Sequence, residues 1–566
     1  MIKYTFLLLA VTALLFRLSV SACVSRPPCT NTAATRSTWC RGFDIDTNYY
    51  DKSPKTGRTR EYYLTLEQIT AAPDGFPRTI YAFNGSFPGP TIVADWGDTV
   101  KVHITNNLFD ARNGTTVHFH GIRQNYTNQM DGVSSITQCP VPPGSSTTYV
   151  WKAIQYGTSW YHSHIGLQAW EGAAGSIVIN GPATANYDHD LGPLFLSDWT
   201  HTPVDALYMS ALNHGPPTLA NGLLNGTNTW TRNAATLGKR LAVPVNTGES
   251  YRIRLINGAI DTHFKFTIDN HTMTVIAADF VPIVPYQTTV LDIAMGQRYD
   301  IVVEADQASL ASNFWMRAIP QSSCSSNANA DDIRGIIYYG TEPNTPSTTC
   351  YDYKDACVDE PMASLVPHLH LDAGKQDHSD DEVVGLNRAE GVFLWTMHSV
   401  SFNTSWTNPT LLQMHNNNAI ASFATQDHVI QLDEANKWEY LIIHSTIPVP
   451  HPIHLHGHDF YILAQGNGPY DSSAAVKLFN PPRRDVAVIP ASGHLVIAFK
   501  TDNPGAWLVH CHIGWHTDMG LALQFVEQYG VARELVDYAR LNRTCKAWND
   551  YAAAEGVVQY KYDDGI

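Results

Sequence analysis

At 566 residues the chain is too long for one ordinary core, and length alone argues for roughly three or four domains. Its formal net charge of -16 excludes a nucleic-acid binder, which needs a basic face. With 44% hydrophobic residues it reads as globular, and beyond the N-terminus no segment approaches ~18 continuous apolar residues, so no membrane span is expected.

In chain order, residues 1–22 (MIKYTFLLLAVTALLFRLSVSA) read as a secretory signal peptide. Lys3 opens it, an apolar run interrupted by Arg17 follows, and the small residues ending at Ala22 form a cleavage site. The rival, an N-terminal anchor, has too short a run. A secreted, extracellular protein is expected. From there short alternating or β-branched runs dominate: TIVADWGDTVKVHITNN, TTYVWKA, GSIVING, YRIRLING, TMTVIAADF, YDIVVEA and HLVIAFKT. Gly, Pro and Asn punctuate them, which argues for all-β sandwiches or barrels. Three blocks are expected, 23–182, 183–345 and 346–566, with the polar stretch TEPNTPSTTCYDYKDACVDEP read as a linker between the last two. Helical periodicity is scarce, and LVDYARLNR near the end is the best helix candidate.

Nine cysteines in an oxidising compartment leave one thiol over, and Cys511, flanked by histidines, is the one to be spared as a thiolate ligand. Sequons at Asn113, Asn125, Asn225, Asn270, Asn403 and Asn542 fit a glycosylated surface. Asn84 also scores but sits in a turn-and-strand segment expected to be buried.

The histidines carry the chemistry. Twenty-five of them would place His-x-His about once by chance. The motif occurs at His118/His120, His162/His164, His368/His370, His454/His456, His456/His458 and His510/His512. On a strand, residues i and i+2 share a face, so each pair can grip metal together. An isolated pair is more often a satisfied surface or core histidine. Four pairs, VHFHG, WYHSH, HPIHLHGHDF and VHCHIGWH, together with a cysteine reverse that reading. His368/His370 lacks the aromatic and glycine setting and reads as chance; His458 reads as structural. In VHCHIGWH, His510 and His512 point to one face and Cys511 to the other. One strand thus serves two sites. One thiolate with two imidazoles describes a blue-copper electron-transfer centre. Zinc is the rival for mixed Cys/His sites. Zinc gains nothing from a covalent bridge to a second, all-histidine site, whereas a redox metal gains an electron path.

These four motifs resemble the copper-binding motifs of multicopper oxidases, in particular of ascomycete laccases. NGSFPGPTI, DGVSSITQCPVPPG, QYGTSWYHSH, GQRYDIVV, NPPRRDV and FKTDNPGAWLVHCHI extend the resemblance over residues 29–566. It implies three cupredoxin-like Greek-key domains, four copper ions, and one-electron oxidation of phenols coupled to reduction of O2 to water. It assigns the type 1 copper to His451, Cys511 and His516, with Leu521 at the axial position and Met519 as packing. The type 2 copper takes His118 and His454. The type 3 pair takes His120, His162 and His512 on one copper, and His164, His456 and His510 on the other.

The resemblance further places Asp131 and Asp485 beside the trinuclear site as proton donors; the bland alternative is a turn aspartate, or for Asp485 an ion pair with Arg483 or Arg484. Asp261 matches a carboxylate over the substrate, and Trp395 lines the same pocket or is core. The terminus DDGI resembles a tail that plugs the cluster's solvent channel, with Asp564 where the family has serine, a charge that counts against the fit. Disulfides Cys29–Cys40, Cys139–Cys545 and Cys324–Cys357 follow from the same resemblance, leaving Cys23 and Cys350 over. The expected partners are phenolic small molecules and O2, for a monomer. Lignin-related phenols, pigment precursors and plant defence phenols are not distinguished. The rivals are a ferroxidase and a copper-binding protein without catalysis.

Overall fold

The computed structural model describes residues 30–111, 113–416 and 423–566. The expected signal peptide, Cys23 and the Cys29 end of the Cys29–Cys40 pair lie outside these. The chain is built of strands, 41% of it, with 11% in helices.

Three sandwiches follow one another. The first packs a four-stranded sheet (Arg78–Phe83, Thr59–Ala71, Thr99–Asn107, Ser146–Lys152) against a second (Gly89–Asp95, Ala174–Asn180, Gly157–Ser163, Val117–Phe119). Inward residues alternate along Thr99–Asn107, where Val100, Val102, Ile104 and Asn106 are fully buried. The run TIVADWGDTVKVHITNN is broken into two strands at Gly97, whose φ of 91° no β-branched residue tolerates. The second sandwich has six- and five-stranded sheets spanning His189–Trp199 to Arg334–Tyr339. The third repeats that plan between His378–Ala389 and Ala522–Glu527.

Both histidine-bearing sheets are antiparallel at their centres. In the first sandwich His118 pairs with His162. In the third, strand His451–Leu455 lies beside Gly505–Cys511, with His454 opposite His510 and Ile453 opposite Cys511. The fully buried Trp507 packs under this pair, close against Gly457.

The helix expected near the end runs Tyr538–Glu555, its start capped by Asp537, whose carboxylate accepts the Arg540 N–H at 2.9 Å. A second helix, Val204–His214, was not expected; only Val204, Ala211 and Leu212 of it are buried, too few to print a periodic stripe. Cys139–Cys545 ties the first sandwich to the terminal helix across 406 residues, and Cys324–Cys357 closes a shorter loop. Cys350 is a free thiol. Asn84 is exposed, contrary to expectation, although its amide donates to the Tyr63 carbonyl at 3.0 Å. Among the sequons Asn125, Asn270 and Asn542 are exposed, while the Asn403 amide donates to the Asp563 carbonyl at 2.8 Å.

Candidate metal centres

Strand geometry divides the histidines between two sites. His451 and His454 stand three residues apart on one strand, so they face opposite sides. Cys511 and its flanking histidines divide the same way. His451, Cys511 and His516 form one group of ligand atoms, and His164, His456 and His510 another.

In the first group the two Nδ1 atoms are 3.2 Å apart, and Sγ of Cys511 lies 3.8 Å from His451 Nδ1 and 3.7 Å from His516 Nδ1. A point equidistant from all three lies about 2.1 Å from each, close to a metal–ligand bond length. All three residues are at least nine-tenths buried. Burial pushes the Cys511 thiol far above its ordinary value and His451 down to about 3. A bound cation is what makes a thiolate of such a cysteine. His516 sits on the short helix Gly514–Asp518, which is fixed when Gly514 donates to the Ile260 carbonyl at 2.8 Å. Trp395 lies over it, ring centres 4.1 Å apart, and 5.0 Å from the His451 ring. The Trp395 N–H donates to the Met519 carbonyl, and Trp395 belongs to the core as well. Leu521 is fully buried, its carbonyl accepting from Cys511 N at 3.1 Å.

The second group is a cluster of eight histidines: His118, His120, His162, His164, His454, His456, His510 and His512. Each is buried, and each keeps a ring nitrogen with no hydrogen-bond partner among the described residues. The other nitrogen is anchored in His118, His120, His162, His454, His456 and His510. His118 Nδ1 donates to the Asp131 carbonyl at 2.9 Å, His162 Nδ1 to the Ser163 carbonyl at 2.9 Å, His454 Nδ1 to the Asp485 carbonyl at 2.7 Å and His510 Nδ1 to the Cys511 carbonyl at 2.8 Å. A carbonyl only accepts, so each of these rings carries its proton on Nδ1 and turns a bare Nε2 inward. Burial, aided by neighbouring imidazoles, holds His120, His162, His164, His454, His456 and His512 neutral, well below the usual imidazole range. Eight buried imidazoles, each with an unpartnered ring nitrogen, fit metal ions and nothing apolar.

The aspartates have distinct settings. Asp131 accepts from His456 Nδ1 at 2.8 Å and faces His118 Nδ1 at 3.2 Å, so one carboxylate braces both rings. Asp485 accepts from His120 Nε2 at 3.2 Å. Its ion partner is Arg298, at 2.6 Å, and not the neighbouring arginines. Arg484 instead pairs with Asp279 at 3.0 Å, and Arg483 donates to the Leu369 carbonyl. Burial and the nearby Asp279 push Asp485 up to about 7 against the pull of Arg298. Asp261 stands in the loop after strand Ser250–Asn257, next to Ile260, with Trp515 beside it. Burial first, then the Asp198 carboxylate, raise it well above the usual carboxylate range. Asp198 is the residue sequence reasoning missed: it receives the N–H groups of Ile260 and Asp261 at 3.0 Å and so fixes the loop.

His458 turns away to Glu527 at 3.1 Å, and His368 and His370 pair with Asp46 and Asp372. None of these three joins the cluster. The C-terminal tail is inserted despite Asp564, which is 1% exposed. The Gly565 carbonyl accepts from Ser134 and Ser135 at 2.8 and 2.7 Å, and Ser134 also donates to the His164 carbonyl.

Family models described as multicopper oxidase match residues 65–184, 190–341 and 403–530. Laccase-2 of Botryotinia fuckeliana is 46% identical, covering 98% of both chains, and Laccase-1 of the same fungus is 47% identical over 96% of this chain and 95% of its own. The crystal structure of a laccase from Botrytis aclada superposes with a TM-score of 0.90 at 46% identity, covering 95% of this chain and all of that one. A multicopper oxidase that functions in iron import, Fet3p, superposes at 0.76 with 26% identity, covering 88% and 96%. The chain belongs to the multicopper oxidases, a copper-dependent family of cupredoxin-like domains. Within that family it is an oxidoreductase of the ascomycete laccase type.

Proposed function

We propose that the protein is a secreted laccase that removes single electrons from phenolic substrates near His516 and delivers them to O2 at the eight-histidine cluster. One observation carries this reading: Cys511 belongs to one group of ligand atoms, while its covalent neighbours His510 and His512 belong to the other. Four coppers fit the ligands: a type 1 ion held by His451, Cys511 and His516; a type 2 ion by His118 and His454; and a type 3 pair by His120, His162, His512 and by His164, His456, His510. When bound, these ions supply one-electron acceptance at the first site and four-electron reduction of O2 at the second.

The chain's own residues do the rest. Leu521 offers no donor atom, so a type 1 ion would be held by His451, Cys511 and His516 alone, a ligand set that would favour a high potential. Asp261 accepts the proton that a phenol sheds as it loses an electron, and Trp395 lines that side. Asp131 orients His118 and His456, and Asp485, held by Arg298, stands where a proton is passed inward. Backbone carbonyls fix the imidazole tautomers. Domains over 23–182, 183–345 and 346–566, a cleaved signal peptide, a glycosylated surface and a monomeric state complete the proposal. No helix among the described residues is long and apolar enough to cross a membrane.

Copper quantification combined with O2 uptake over a panel of phenols tests it. Four coppers per chain and O2 consumption with phenols are expected; no uptake by copper-loaded protein would leave a copper-binding protein without catalysis. The likeness to the iron-import oxidase favours a second reading, a ferroxidase, and a higher turnover of ferrous iron than of phenols would establish it.

A further inference from the structure

The carbonyl of Cys511 has left the sheet. Cys511 lies opposite Leu521, one rung beyond the pairing of His510 with Ala522, and its N–H donates to the Leu521 carbonyl at 3.1 Å. Such an antiparallel pair ordinarily exchanges two hydrogen bonds. Here the Leu521 N–H goes instead to the His516 carbonyl at 3.0 Å. Two side chains take the freed oxygen. His510 Nδ1 donates to it at 2.8 Å, and the hydroxyl of Thr517 donates to it as well. A carbonyl oxygen has two lone pairs, enough for these two donors. Cys511 is fully buried and Thr517 is buried beside it, so neither group faces bulk solvent.

The helix Gly514–Asp518 places Thr517 for this, directly after His516. A threonine in a helix commonly bonds back to the carbonyl one turn earlier. Thr517 has that acceptor, the Ile513 carbonyl at 3.2 Å, but its hydroxyl also reaches back to Cys511 at the end of the strand. The His510 Nδ1 atom stands 3.4 Å from the same hydroxyl. Thr517 thus adjoins His516 in the chain and bonds the backbone of Cys511, two residues whose ligand atoms form the first group. It also shares an acceptor with His510, a member of the second group. Thr517 itself offers no ligand atom to either.

We propose that Thr517 is a positioning residue common to both metal centres, an inference that rests on reading the two groups as the copper sites of the proposed laccase. Through the Cys511 carbonyl its hydroxyl holds the acceptor that fixes the His510 ring and turns Nε2 of that ring toward the cluster. Through its own helix it ties His516 to the end of strand Gly505–Cys511, which sets the 3.7 Å separation of His516 Nδ1 from Cys511 Sγ. Groups that orient a ligating side chain govern how tightly an ion is held and its electronic setting. A methyl group in place of the hydroxyl leaves the carbonyl to His510 alone and frees the helix from the strand end.

Thr517→Val keeps the branched shape and removes the hydroxyl, whereas Thr517→Ser keeps the hydroxyl. Both are compared with wild type as copper-loaded protein. The readouts are visible absorption, electron paramagnetic resonance, and the chelator concentration that strips copper from the cluster. The valine variant is expected to shift the blue absorption maximum and the type 1 hyperfine splitting. It should also release cluster copper at a chelator concentration about 10–100-fold lower. Serine should restore both. Thr517→Ala, which cannot crowd the helix, gives the same comparison should the valine variant not fold. The thermal midpoint of metal-free protein reports damage to the helix alone. A lowered midpoint with wild-type spectra and retention, or a spectral change that serine does not rescue, would overturn the proposal and leave Thr517 a helix threonine bonded to Ile513. Wild type without a blue band would instead remove the copper reading on which the proposal rests.

Discussion

The carboxylate of Asp131 accepts a 2.8 Å hydrogen bond from Nδ1 of His456, 325 residues further along the chain. The same aspartate takes the Nδ1 proton of His118 on its own carbonyl at 2.9 Å. One residue of the first sandwich thereby orients a ligand from each of the two sandwiches that meet at the cluster.

Removing that brace should loosen metal without touching a ligand. Asp131→Ala is expected to weaken metal retention at the cluster by about 10–100-fold, the usual cost of losing a group that orients a ligating histidine. Dialysis against a graded chelator, with copper and O2 uptake followed together, checks it. Asp131→Asn should recover part of the retention, because the amide oxygen still accepts from His456.

Arg298 and Asp485 form a fully buried pair, joined at 2.6 Å. Arg298→Met strips the partner from a buried carboxylate, a change that typically costs about 3–5 kcal/mol. Urea unfolding should show the loss. Asp485 should then shift further up, since Arg298 is what holds it down. As its folded value already exceeds the unfolded one, the carboxyl favours the fold only at low pH and opposes it as pH rises through about 7. The variant's deficit should therefore be largest above neutrality and smallest in acid.

The two metal centres were legible in the sequence because ligation by strands needs short-range pairs, and His118/His120, His162/His164 and His510/His512 are such pairs. The Arg298–Asp485 partnership was not, because its members are 187 residues apart and Arg483 and Arg484 offered nearer candidates. Asp198 was hidden for the same reason: it acts on a loop 62 residues away.

Cys511→Ser should abolish the blue thiolate-to-copper absorption and nearly all phenol oxidation, since a serine oxygen is a poor partner for a soft site. The cluster should keep its metal, because its ligands are imidazoles fixed by groups other than the Cys511 side chain. Visible absorption and copper content decide it. A variant that keeps the blue band refutes the assignment of Cys511.

Leu521→Met should lower the type 1 potential, and Met519→Leu should leave it nearly unchanged. Leu521 and Met519 are both buried in the same hydrophobic core; the Leu521 carbonyl accepts the Cys511 backbone N–H, and the Met519 carbonyl accepts that of Trp395. A thioether at the axial position donates to copper and favours the oxidised form. Redox titration of both variants is the measurement, and a large shift from Met519→Leu alone would move the axial site there.

Asp261 gives the sharpest test of the substrate reading. Its carboxyl is raised well above the usual range by burial and by Asp198, so it is ionised, and able to accept a proton, only above that raised value. Phenol oxidation should then fall as pH drops through it. Asp261→Asn should lower kcat/KM for phenols and remove that dependence. A positioned base contributes on the order of 10²–10⁴-fold, and the low end is expected because a phenol radical cation also loses its proton to water. A non-phenolic one-electron donor releases no proton and should be oxidised almost as before. The contrast between the two substrates separates proton transfer from damage to the loop that Asp198 holds. Equal losses on both would reduce Asp261 to a residue that shapes the site, and no loss on either would put the substrate elsewhere.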